Sequence, residues 1–196
     1  MSATDSIQTN LPKDLQTVLD DLDRADADAL RLMDGVTDAQ ANWQPRENAW
    51  SMAQCLDHLA RTNVAYVAAL RDAVRDGGAA GTPRREPIRP GWVSRYFIRT
   101  VEPPPRSKFR APKKIVPRPQ ADKDEVLQLF LRSQENVRAL VRDSAGLDLN
   151  RIRFRNPFVW FLRFTVGAGF LIIAAHDRLH LWQAEQVRQA VGFRAQ

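Results

Sequence analysis

Residues 157–183 read PFVWFLRFTVGAGFLIIAAHDRLHLWQ, and the fold turns on how they are taken. Those up to Ala175 are nearly long and apolar enough to cross a bilayer. Arg163 stands in their middle, however, where a charge is costly in lipid. The continuation, HDRLHLWQAEQVRQ, keeps a helical pattern while turning strongly polar. The stretch therefore reads as one helix of a bundle, from about Thr165 to Ala190, buried on most of its sides.

Working outward, three more helices appear, and no strand-like alternation or internal repeat. One runs from about Leu11 to Met33, with Leu15, Val18, Leu22, Ala25, Ala29 and Met33 at helical spacing and Gly35 ending it. The next begins at Ser51, where Ser51 and Gln54 have capping-box spacing, and is expected to stop near Arg75, before Gly77 and Gly78. A third starts at Asp122, again with a capping-box partner at Glu125, and shows one apolar face through Val126, Phe130, Val137, Leu140 and Val141, to about residue 143. The expected fold is all-α, a four-helix bundle forming a single domain over residues 1–196.

The connections set the topology. About seventeen residues join the first two helices, and Trp43 and Trp50 among them are expected to pack over the end of the bundle. Residues 77–121, between the second and third, hold nine of the chain's twelve prolines and eleven Arg/Lys against two acids, Glu86 and Glu102. A connection this long lets the second and third helices run parallel, giving an up-down-down-up order with a basic, proline-rich crossover. A short helix over GWVSRYFIRTV, docked by Trp92, Tyr96 and Ile98, is expected inside it; the prolines keep the rest extended.

The net charge is +6, so the chain outside the crossover is slightly acidic. Cys55 is the only cysteine, which excludes an internal disulfide and fits a reducing compartment. The first residues, MSATDSIQTNLPKDL, show neither the basic nor the apolar region of a secretion signal, and no lipidation motif is visible. A cytoplasmic protein with no membrane span and no membrane partner is expected.

The chain has three histidines. His176 and His180 stand four apart, about 400° of helical turn and about 6 Å of rise, so their imidazoles share a face. That spacing can give two nitrogen ligands to one metal. His58 sits two turns into the second helix, and if the two helices are neighbours the three rings could meet inside the bundle. Three neutral nitrogens suit zinc, nickel, iron(II) or copper(II) and leave positions for water or substrate. Such a pair of histidines is also common by chance on an amphipathic helix, and a lone histidine is more often a partly buried polar residue than a ligand. Gln183 lies on the same face and could hydrogen-bond a ligand, although an ordinary helix-face glutamine is commoner. Cys55, three residues before His58, reads as a core cysteine. Asp57 and Asp177 point about 100° away from the ligand faces and read as solvent-exposed.

The segment with Trp43, Pro45, Trp50, Ser51, Leu56, His58 and Leu59 resembles the start of helix two in the DinB/YfiT-like superfamily. The later run HDRLHLWQ resembles that family's H-E-x-x-H-x-x-Q signature, with Asp177 where glutamate is frequent, and FRAPKKIVPRP resembles its crossover. The resemblance extends from about Leu11 to Ala190. It implies a four-helix bundle with a long connection between helices two and three, and metal ligation by His58, His176 and His180. It further implies a divalent ion (zinc, nickel or iron), a small-molecule substrate, in some relatives a low-molecular-weight thiol, and dimers formed through the bundle. Thiol S-transfer and metal-dependent hydrolysis are the chemistries it suggests. Both depend on a divalent ion lowering the pKa of a water or thiol.

Two other readings belong to different classes. The crossover could bind nucleic acid or an anionic membrane surface, since Trp92, Tyr96, Phe97 and Phe109 are interleaved with its basic residues. No nucleic-acid motif is present, and the aspartate-rich first helix offers an internal partner for the strap, so nucleic acid is not the expected partner. A non-catalytic binding protein stiffened by its metal is the other alternative. Trp160, Phe161 and Phe164 are candidates for an exposed apolar patch at a dimer interface.

Overall fold

A computed structural model of the chain describes residues 11–105 and 111–193. The N-terminal residues read for a secretion signal lie mostly outside this range, as does Phe109. The described chain is mostly helical, with six α-helices: α1 (Lys13–Met33), α2 (Asp38–Asn42), α3 (Met52–Ala79), α4 (Trp92–Thr100), α5 (Lys123–Asp143) and α6 (Val166–Arg188), and one turn of 3-10 helix at Lys113–Ile115. Two short strands, β1 (Arg153–Arg155) and β2 (Arg163–Thr165), form an antiparallel hairpin ahead of α6.

The four long helices make the bundle. α3 packs against α5 and α6, and α1 packs against the same two. The N-terminal half of α3 shares an apolar cluster with the start of α5, through Met52, Leu56, Val126 and Phe130. Beyond the other ends of both helices, Pro83 pairs with Leu147. A second apolar cluster fills that end, around Leu70, Val137, Phe154, Phe164 and Phe170. Between the two clusters lies a buried polar layer of Asn63, Ser133, Gln134 and Asp177.

Helix ends follow the local chemistry. Ser51 and Gln54 form the expected capping box, each side chain accepting from the other's backbone N–H. The Asp122 carboxylate caps α5 by accepting from the Glu125 N–H at 2.8 Å. Thr37 and Gln40 form a further capping box that starts α2, inside the first connection.

Four details depart from expectation. α3 continues through Gly77 and Gly78 to Ala79, and the turn falls at Gly81, with φ +62°. Gly77 serves close packing there: a Cβ at this position would collide with the Ile152 side chain. The hairpin was not expected, because its alternation lasts only three residues per strand; Phe154 and Phe164 pair inward while Arg153, Arg155 and Arg163 face out. α4 forms, but Ser94, Phe97 and Ile98 make its inner face, and Trp92 and Tyr96 are 76% and 71% exposed. Residues 94, 97 and 98 share one helical face, which turns 92 and 96 outward. Finally, Phe164 is buried, whereas Trp160 and Phe161 are exposed. No described helix is long and apolar enough to cross a membrane.

Candidate metal centre

The three histidines come together where the polar layer meets the apolar cluster built around Leu56 and Phe130. His58 arrives from α3, and His176 and His180 arrive from successive turns of α6. The Nε2 atom of His176 lies 3.3 Å from Nε2 of His58 and 3.1 Å from Nε2 of His180. Trp50, just before α3, covers the group, with its ring centroid 4.7 Å from that of His58 and 5.4 Å from that of His180.

The outer ring nitrogens decide the tautomers. His58 Nδ1 lies 2.7 Å from the Ile115 carbonyl oxygen, an acceptor, so this nitrogen carries the proton. His180 Nδ1 lies 2.8 Å from Gln183 Oε1, which settles that ring in the same way. Both rings therefore turn an Nε2 lone pair toward His176. Burial holds the His58 and His180 pKa values below the ordinary histidine range; neighbouring imidazoles add to the effect at His180, while the Ile115 bond and the Asp57 charge oppose it at His58. Burial and the nearby His58 also lower the pKa of His176. The rings are neutral at physiological pH, the state a ligand requires.

This arrangement fits a cation. If His176 were protonated on Nε2, that proton would be shared between two acceptors, and its Nδ1, which is buried without a partner, would remain an unpaired acceptor. An ion at the centre would use all three lone pairs at once. Tetrahedral zinc with bonds of about 2.0–2.1 Å has nitrogen–nitrogen edges of roughly 3.3–3.4 Å, close to the two observed separations. His176 is partly exposed as a residue, while its Nδ1 is buried.

The expectation of exposed Asp57 and Asp177 is wrong: they are 1% and 0% exposed. Asp57 accepts from Arg61 Nε at 2.8 Å, and from the backbone N–H and Nε of Arg118 at 3.0 Å each. Burial alone would raise its pKa, but the Arg118 N–H and the Arg61 guanidinium outweigh that and hold it below the usual carboxylate range. Through Arg118 this carboxylate fixes the segment between α3 and α5 that carries the Ile115 carbonyl. Asp177 accepts from Gln134 Nε2 at 3.0 Å, within the polar layer, and burial raises its pKa to about 7. Cys55 lies in the apolar cluster and burial pushes its thiol up to about 12, so it is not presented as a ligand.

Spacing along the helix marks His176 and His180, a predicted inner face marks His58, and the Gln183 contact is the less common of its two readings. The Ile115 carbonyl gave no signal, because any residue type supplies a backbone oxygen. Trp50 was expected at the bundle end but not against the imidazoles.

Comparison with known proteins agrees with this architecture. The solved structure of YfiT from Bacillus subtilis, described as a probable metal-dependent hydrolase with an unusual four-helix bundle topology, superposes with a TM-score of 0.61. The alignment covers 91% of this chain and 87% of that one at 17% sequence identity, a likeness of fold. No curated protein matches the sequence. The model of the DinB superfamily matches residues 21–184, a span that includes all three histidines, and the chain belongs to that superfamily.

Proposed function

We propose that this protein is a metal-dependent enzyme in which His58, His176 and His180 hold a divalent ion that activates a water or a thiol. The observation that carries the reading is the convergence of three neutral Nε2 atoms whose outer nitrogens are already committed to Ile115 and Gln183. When bound, zinc, nickel or iron(II) would supply Lewis acidity and an open position at which a nucleophile loses its proton near neutral pH. The chain's own parts do the rest. Ile115 and Gln183 hold two imidazoles in the ligating tautomer. Trp50 screens one side of the site from water.

Hydrolysis and transfer to a low-molecular-weight thiol both follow from this chemistry. Hydrolysis is the first to test, since the YfiT fold neighbour is described as a probable hydrolase. We read the chain as one cytoplasmic domain over residues 1–196, with helices α1, α3, α5 and α6 in up-down-down-up order and residues 77–121 as crossover. Supporting that order, the starts of α3 and α5 share one apolar cluster, while residues just beyond their far ends pair as Pro83 and Leu147.

The test is to strip the protein with a chelator, reload it with zinc, nickel or iron(II), and assay ester, amide and phosphoester hydrolysis beside thiol transfer to small electrophiles. Turnover restored by one ion and absent from His176→Ala, with the fold intact, is expected. A metal that raises the melting temperature while neither panel shows turnover would instead establish the non-catalytic, metal-stabilised alternative.

A further inference from the structure

Four large aromatic side chains stand in solvent at the end of the bundle away from the histidines. Trp92 and Tyr96 are 76% and 71% exposed on α4, and Trp160 and Phe161 are 73% and 67% exposed on the loop between β1 and β2. The two elements are neighbours, because Phe97 of α4 packs its ring 5.1 Å from that of Phe164 in β2. Neither segment, 91–100 or 151–163, contains an Asp or Glu. Both are rich in arginine: Arg95, Arg99, Arg151, Arg153, Arg155 and Arg163 are exposed, and none makes an ion pair among the described residues. Glu102, the first acid after α4, is engaged by Arg178.

The hairpin loop is built to hold its aromatics out. Residues 157–162, PFVWFL, contain no polar side chain. Buried Asn156 organises them: its Oδ1 accepts from the N–H groups of Phe158 and Val159 at 2.9 Å each, and its Nδ2 donates to the Tyr66 hydroxyl at 2.9 Å. A contiguous exposed tip of large aromatics is unusual for a surface that meets only water. On α4, Trp92, Arg95, Tyr96 and Arg99 follow helical i, i+3, i+4, i+7 spacing, so that face alternates aromatic and basic groups.

From these observations we infer that α4 and the β1–β2 loop form a peripheral docking surface for an anionic lipid bilayer. The Trp160 and Phe161 tip enters the interfacial region, and the surrounding arginines meet acidic headgroups. The pattern matches how peripheral proteins lie on membranes: amphipathic rings at headgroup depth and arginines that keep their charge in water while their stems lie along apolar surface. Nucleic acid would meet the same charge, but Trp160 and Phe161 stand edge to face at 89°, which offers no parallel stacking platform. A second copy of the chain would have to bury unpaired arginines against their own kind, since an isologous contact brings like charges together. The surface is separate from the histidine site, and the inference does not rest on the enzymatic reading.

Flotation with phosphatidylcholine vesicles, with and without phosphatidylserine, tests it. The full chain should bind only the phosphatidylserine-containing vesicles, and bromine-labelled lipid should quench its tryptophan emission. Replacing Arg95 and Arg99 with alanine should weaken binding about fivefold per arginine. Trp160→Ser combined with Phe161→Ser should weaken it about tenfold or more. All four positions are exposed, so the melting temperature and metal content of each variant should match the parent, separating lost docking from lost folding. Vesicle binding that survives the tip substitutions would overturn the inference. So would loss of DNA binding, or of a dimer in sedimentation, on those substitutions in a protein that never floats with vesicles.

Discussion

At the scale of single residues, the site depends on which nitrogen of each imidazole faces inward. Gln183 holds His180 in its tautomer from one turn away, so Gln183→Ala should lower metal affinity by about tenfold or more while leaving the fold in place. A competition titration against a chromogenic chelator, beside a thermal melt, would check both parts. Cys55 has the opposite character. Its burial, which pushes the thiol up to about 12, predicts that a thiol reagent will not label the native protein at pH 8 but will label it once unfolded. The histidines were legible from spacing and from their place on apolar faces. The burial of Asp57 was not, because helical period places a residue on a face without revealing what covers that face. Residues 51–60 are buried on every side, since the far end of the crossover lies over the face that periodicity leaves outward.

At the scale of elements, the long connection between α3 and α5 is a tied strap. Its first half is held by Asp14 of α1, which takes Arg84 Nη2 on both oxygens at 2.6 Å and the Ile88 N–H at 2.7 Å. Burial works against that carboxylate, but the Ile88 N–H and Arg84 outweigh it and hold its pKa below the ordinary value of 3.8. A depressed carboxylate stabilises the fold above the unfolded-state pKa and loses that contribution as pH falls through the folded one. Asp14→Asn should therefore cost about 1–2 kcal/mol near neutral pH and little in strong acid, as denaturant melts at the two extremes would show. At the far half, Asp57→Ala removes the carboxylate shared by Arg61 and Arg118. It should cost about 3 kcal/mol, the low end for a buried pair because Arg118 is one-third exposed, and it should weaken metal binding by loosening the Ile115 segment. A urea melt and the same chelator titration would test it. The strap's length, charge and proline content were plain in the sequence. Its anchors were not, because they join residues 61 and 70 or more apart whose pairing follows only from the packed bundle. The hairpin escaped notice for a related reason: strands of three residues carry too little alternation to stand out, and Phe154 and Phe164 pair only because β2 leads directly into α6.

At the scale of the whole molecule, two apolar clusters hold the helices together, with a buried polar layer between them and the three histidines at its edge. The presence of the four long helices could be drawn from the sequence, since Ser51 and Asp122 cap two of them, Gly35 follows a third, and the fourth follows the apolar run from Phe158 to Ala175. The exposed aromatic end could not, because Trp160, Phe161 and Phe164 look alike in sequence and only packing distinguishes the buried one. The central claim, that the three imidazoles bind one ion, is tested most directly by elemental analysis of protein purified without an affinity tag, beside His58→Ala and His176→Ala. The account predicts about one zinc, nickel or iron per chain in the parent protein and none in either variant. A parent protein that carries no metal, and takes up none after reloading with each ion, would contradict it.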